Sequence, residues 1–143
     1  NVLFIFYIHP MKTISKEYLL SSFKLLSLTQ REMQTLSLYI LTNKIYYDDI
    51  LECYYFVYNK SGIFHKLLLY YLANEIFQNE KKYQSQLYKQ LREFVCKYFY
   101  DDFELSKKCV DLHKKYIELK NVWITKQIYE NKELTSKSIK ETL

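Results

Sequence analysis

Glycine and proline each occur once in the 143-residue chain, at Gly62 and Pro10. A glycine-rich phosphate loop of the P-loop or dinucleotide-binding type needs several glycines, so both are excluded. A fold of many short strands needs turn punctuation that this chain lacks. Arginine is almost as rare: Arg31 and Arg92 stand against nineteen lysines, a skew expected of an AT-rich coding sequence. Cysteine is limited to Cys53, Cys96 and Cys109, with no C-x-x-C spacing, and His9, His65 and His113 sit near no second ligand. Zinc is therefore not expected, and buried free thiols are. No apolar run is long enough to span a bilayer. The run that opens the sequence, "NVLFIFYIHP", also lacks the basic flank and cleavage site of a signal peptide. Residues 1–10 read as a non-domain extension, and 11–143 as one domain beginning at Met11.

What the sequence does contain is helix. Long stretches rich in Leu, Ile, Lys and Glu run between few breakers, which predicts an all-α chain. Apolar positions at Ile14, Tyr18, Leu19, Phe23 and Leu26 give a first helix. Thr29 with Glu32 three positions on is a capping-box pattern, so a second helix starts near Gln30 and runs to about Lys44. "YDDILECYYFVYN" predicts a third, with Asp48 and Asp49 in its first turn, and Asn59–Gly62 is the clearest turn. A fourth spans Ile63 to Asn79 and a fifth Ser85 to Tyr98. Asp101–Asp102 open a sixth, "YIELKNVWITKQIY" forms a seventh, and a short eighth follows Asn131.

The fourth helix is unusual. Within "YLANEIFQN", Tyr71, Asn74, Glu75, Gln78 and Asn79 fall at i, i+3, i+4, i+7 and i+8 and form one polar stripe. Leu69, Leu72, Ala73, Ile76 and Phe77 occupy the core side. A solvated face is ordinarily built from Lys and Glu; this one is built from amides, a phenol and an acid. Trp123, spaced with Leu119 and Val122, reads as core.

No nucleophile–base arrangement and no H-E-x-x-H motif is present, and the pairs Asp48/Asp49 and Asp101/Asp102 read as helix-start residues. A binding module is expected, not an enzyme, with no metal or cofactor. The net charge of +5 suits an acidic or phosphorylated partner. No RNP-like or KH-like motif supports nucleic-acid binding.

Three blocks carry a resemblance: "LLSLTQREMQTLSLYI", "LLLYYLANEIFQNEKK" and "NVWITKQIY". Together, in this order and spacing, they resemble the CTD-interacting domain (CID) of the regulation-of-nuclear-pre-mRNA-domain proteins, over roughly residues 13–143. The resemblance implies a right-handed superhelix of about eight antiparallel helices of the ENTH/VHS type. It implies a groove between the second, fourth and seventh helices for the phosphorylated Tyr-Ser-Pro-Thr-Ser-Pro-Ser repeats of the RNA polymerase II tail. It further implies a nuclear protein acting in transcription termination, 3′-end processing or tail dephosphorylation, with partners among those factors and with neither DNA nor membrane as ligand. By position, Gln30, Tyr71, Asn74, Glu75, Asn79 and Ile128 would hold the peptide, and Lys82 and Lys126 the phosphate. Two positions depart from the family pattern: Glu75 replaces an aspartate, and Glu118 stands where an arginine grips phosphoserine, leaving Lys114, Lys115 or Lys120 to compensate. The competing class is an ENTH/VHS-type trafficking adaptor that binds sorting signals, ubiquitin or phosphoinositide.

Overall fold

The computed structural model describes residues 14–135, and the opening extension and the last eight positions lie outside them. Among the described residues the regular structure is seven α-helices and one 3-10 turn: α1 (Lys16–Lys24), α2 (Gln30–Thr42), the turn Lys44–Tyr46, α3 (Tyr47–Lys60), α4 (Ile63–Glu80), α5 (Gln86–Ser106), α6 (Val110–Thr125) and α7 (Asn131–Thr135). The fold is an all-α superhelix, as expected.

Most starts fall where local chemistry places them. Ser15 and Ser85 cap α1 and α5 by accepting backbone N–H bonds from Tyr18 and Tyr88. Helix α2 begins at Gln30, but its box is not formed in the usual way. Thr29 Oγ1 donates to Glu32 Oε2 at 3.0 Å, Ser27 Oγ donates to the same oxygen, and these bonds hold the Glu32 carboxyl below the ordinary range. With so little glycine, the chain turns at glutamine. Gln84 and Gln127 both take the left-handed backbone, at φ 51° and 59°. After α6, Ile128 N–H donates to Trp123 O at 2.8 Å and Gln127 N–H to Ile124 O at 3.1 Å. That is a Schellman ending with glutamine in the place glycine usually fills.

Two boundaries differ from expectation: α6 runs Val110–Thr125 rather than over 116–129, and the other change is larger. The predicted fifth and sixth helices are a single helix, α5, and Asp101–Asp102 lie within it rather than at a start. Asp102 is 5% exposed. Its Oδ2 accepts the hydroxyls of Tyr58 and Tyr70, and Lys66 Nζ lies 3.7 Å from Oδ1. Asp disfavours a helix interior because its side chain competes for backbone bonds; here the side chain is engaged by α3 and α4 and no break results. The three thiols also divide. Cys53 is buried as expected, whereas Cys109 is exposed just before α6.

Helix α4 is the centre. Leu67–Tyr70, Leu72, Ala73, Ile76 and Phe77 are all buried, which covers nearly its whole circumference. Alternate helices run in the same sense. Tyr116 OH donates to Ile63 O, Trp123 Nε1 to Asn74 Oδ1 and Lys81 Nζ to Lys126 O, so α6 climbs in step with α4. His65 at the start of α4 meets Phe23 O near the end of α1, and Lys44 beyond α2 meets Glu80 at the end of α4. Helices α2, α4 and α6 therefore lie side by side with their C-terminal ends together.

Candidate functional site

The strip of α4 left open between α2 and α6 is the polar stripe. Tyr71, Asn74 and Glu75 are half-buried, Gln78 and Asn79 exposed. On α6, helical spacing sets Lys115, Glu118, Val122 and Lys126 along one edge. The opposite edge turns to α5, where His113 and Lys120 lie over Phe103. On α2, Gln30, Gln34, Ser37 and Leu41 share one edge, while Tyr39 on the other packs against Tyr18 of α1 at 4.7 Å between ring centroids. Three parallel helices thus form a shallow channel floored by α4.

The two amides are fixed differently. Indole N–H only donates, so the Asn74 atom 2.9 Å from Trp123 Nε1 is Oδ1, which also accepts from Gln78 Nε2. The Asn74 NH₂ is left for an incoming acceptor. Asn79 Nδ2 donates to Glu75 O at 2.7 Å, which leaves its Oδ1 for an incoming donor. Five helical residues separate them by about 7.5 Å along the axis, close to two residues of extended chain at about 7 Å. The two amides also stand about 140° apart around the helix, so they flank the stripe with a donor on one side and an acceptor on the other.

Tyr71 and Glu75 complete the floor. Neither the Tyr71 hydroxyl nor the Glu75 carboxylate has a hydrogen-bond or ion-pair partner among the described residues. Burial, and then the nearby charge of Glu118, push the Tyr71 phenol above its usual range. Glu118 thus faces the stripe, exposed and without an ion pair among the described residues.

The other expected residues are less uniform. Gln30 opens α2 and is exposed on the channel edge. Lys126 ends α6 with its side chain exposed. Lys82 is exposed with its ammonium 4.9 Å from the Tyr83 ring centroid. Ile128 differs: it is 2% exposed because the left-handed Gln127 folds it inward, so it offers a ligand little surface. Of the lysines expected to offset Glu118, Lys120 points to Phe103, and Lys115 shares the Glu118 edge.

Sequence reasoning missed Gln34, Lys44 and Tyr83 at this face. The spacing of Gln34 from Gln30 was available as a signal. Lys44 depended on buried Glu80, which no local pattern marks. A family model described as the CID domain matches residues 17–136. No curated protein matches the chain.

Proposed function

The chain belongs to the CID domain family, modules that bind the C-terminal tail of RNA polymerase II, and from that membership we propose that the α2–α4–α6 channel holds the phosphorylated heptad repeats of that tail. The observation that carries this reading is the open stripe itself. From Leu67 onward the central helix is buried on its other sides and leaves at the surface Tyr71, Asn74, Glu75, Gln78 and Asn79, groups that can bond an extended peptide backbone. Asn74 supplies a donor, Asn79 an acceptor, and Glu75 a carboxylate for a ligand hydroxyl such as that of the repeat's tyrosine. Lys82 and Lys126 supply cations for phosphate. Gln30 borders the ligand on the α2 side. The activity is binding without catalysis, in the nucleus, toward transcription termination, 3′-end processing or tail dephosphorylation.

Fluorescence anisotropy with two-repeat peptides, bare and singly phosphorylated at each serine, tests this against anionic vesicles and RNA. Peptide binding is expected, with Asn79→Ala losing about 1–1.5 kcal/mol and Lys82→Ala or Lys126→Ala losing about 1.5–3 kcal/mol on the phosphorylated form. Binding to vesicles without binding to any peptide would transfer the protein to the adaptor class.

A further inference from the structure

The C-terminal ends of α2, α4 and α6 meet at a cluster built around one exposed ring. Lys44 Nζ is 3.0 and 3.4 Å from the two carboxylate oxygens of Glu80, whose side chain is 4% exposed. The same ammonium is 4.7 Å from the Tyr83 ring centroid, and Lys82 Nζ is 4.9 Å from that centroid. Tyr83 is 59% exposed and its backbone N–H donates to Glu80 O at 3.0 Å. We infer that Lys44 and Lys82, gathered on the ring of Tyr83, form the phosphate subsite of the channel, and that Glu118 keeps phosphate away from the Tyr71 end. This inference rests on the peptide-channel reading and assigns the end of the channel at which the phosphate sits.

Two ammonium groups on a surface repel and would ordinarily diverge. The negative π-system of the tyrosine ring draws each of them, and buried Glu80 anchors Lys44. A phosphate monoester of charge about −1.5 to −2 relieves the remaining repulsion. The site is thus ordered before the ligand arrives, and less side-chain freedom is lost on binding. Three helix C-termini converge here and bring partial negative charge, which favours the lysines and gives an anion no help. Phosphate must be held by ammonium contacts alone, so the preference for phosphorylated peptide should fall steeply with salt. At the other end Glu118 lies beside Tyr71, and no described cation forms an ion pair with it. A phosphate there would meet an exposed acid across a channel floored by a second one, Glu75.

The measured quantity is the affinity ratio between a singly phosphorylated two-repeat peptide and its bare counterpart. In Lys82→Gln and in Tyr83→Ala this ratio should fall about tenfold, the size of one charge-assisted contact. Tyr83→Phe should keep the wild-type ratio, since the π-system draws the lysines. Glu118→Gln should let a second phosphorylated isomer bind. Wild type binding bare and phosphorylated peptides equally, or an unchanged ratio in both Lys82→Gln and Tyr83→Ala, overturns the subsite and leaves the channel standing. A Tyr83→Phe ratio as low as that of Tyr83→Ala overturns the role of the ring. Wild type binding no peptide at all overturns the channel reading and the subsite with it.

Discussion

Asp102→Ala should be among the most destabilising single substitutions in the chain. Its Oδ2 accepts two hydroxyls, from Tyr58 and Tyr70, which are 3% and 0% exposed. Hydrogen bonds to an ionised acceptor contribute about 1.5–3 kcal/mol each. The loss is partly offset, because the two phenol oxygens lie 3.2 Å apart and can bond one another. One buried hydroxyl is then stranded. Lys66 adds little, since its side chain is 22% exposed and can turn to water. The net cost works out at about 3–4 kcal/mol, a large share of the roughly 5–15 kcal/mol a domain possesses. Urea unfolding at neutral pH should show the midpoint falling with an unchanged slope. Asp102→Leu combined with Tyr58→Phe and Tyr70→Phe should return to within about 1 kcal/mol of wild type, because no polar group is then left unmatched. A loss below about 1 kcal/mol in Asp102→Ala, or a triple variant as unstable as the single, would refute this account.

Two further predictions concern the same architecture. Burial pushes the phenols of Tyr54, Tyr70 and Tyr129 well above their ordinary range. The folded state keeps these protons while the unfolded chain releases them near pH 10. Their contribution is therefore complete below pH ~10 and lost above it, at about 1.4 kcal/mol per pH unit for each, or roughly 4 for the three. Of the phenolate absorbance in an alkaline titration, the share from the buried phenols should rise in one cooperative step that coincides with loss of helical circular dichroism; ionisation of all sixteen tyrosines with the helix signal intact would contradict this. Gln127→Gly should raise stability by about 1 kcal/mol, since glycine takes the left-handed conformation without the Cβ clash. A thermal midpoint unchanged or lowered would contradict it.

Much of the site was legible because it is written in one helix. The spacing of Tyr71, Asn74, Glu75, Gln78 and Asn79 already separates open face from core, and all five predicted core partners on α4 are at most 1% exposed. The seventh predicted helix, now α6, also lies beside α4 with Trp123 and Leu119 in the core, whereas Val122, spaced with them, is 39% exposed. What stayed hidden depends on partners far along the chain. Asp102 looks like a helix-start acid until Tyr58 and Tyr70 arrive from α3 and α4. Lys44 carries no signal until Glu80 is seen to be buried beneath it. Ile128 reads as an apolar surface neighbour of Lys126 because a left-handed glutamine cannot be told from an ordinary one by its letter. Each of these residues is decided by tertiary contact, which periodicity does not encode.

The bond from Trp123 to Asn74 gives the protein an internal gauge. The chain has a single tryptophan, and it is fully buried with its one polar atom tied to a floor residue of the channel. Whatever pulls on the Asn74 amide from outside must alter the hydrogen bond on the indole, and with it the emission and the indole proton resonance of that ring. Occupancy of the channel can thus be read from inside the unlabelled molecule, and the signal comes from one known position.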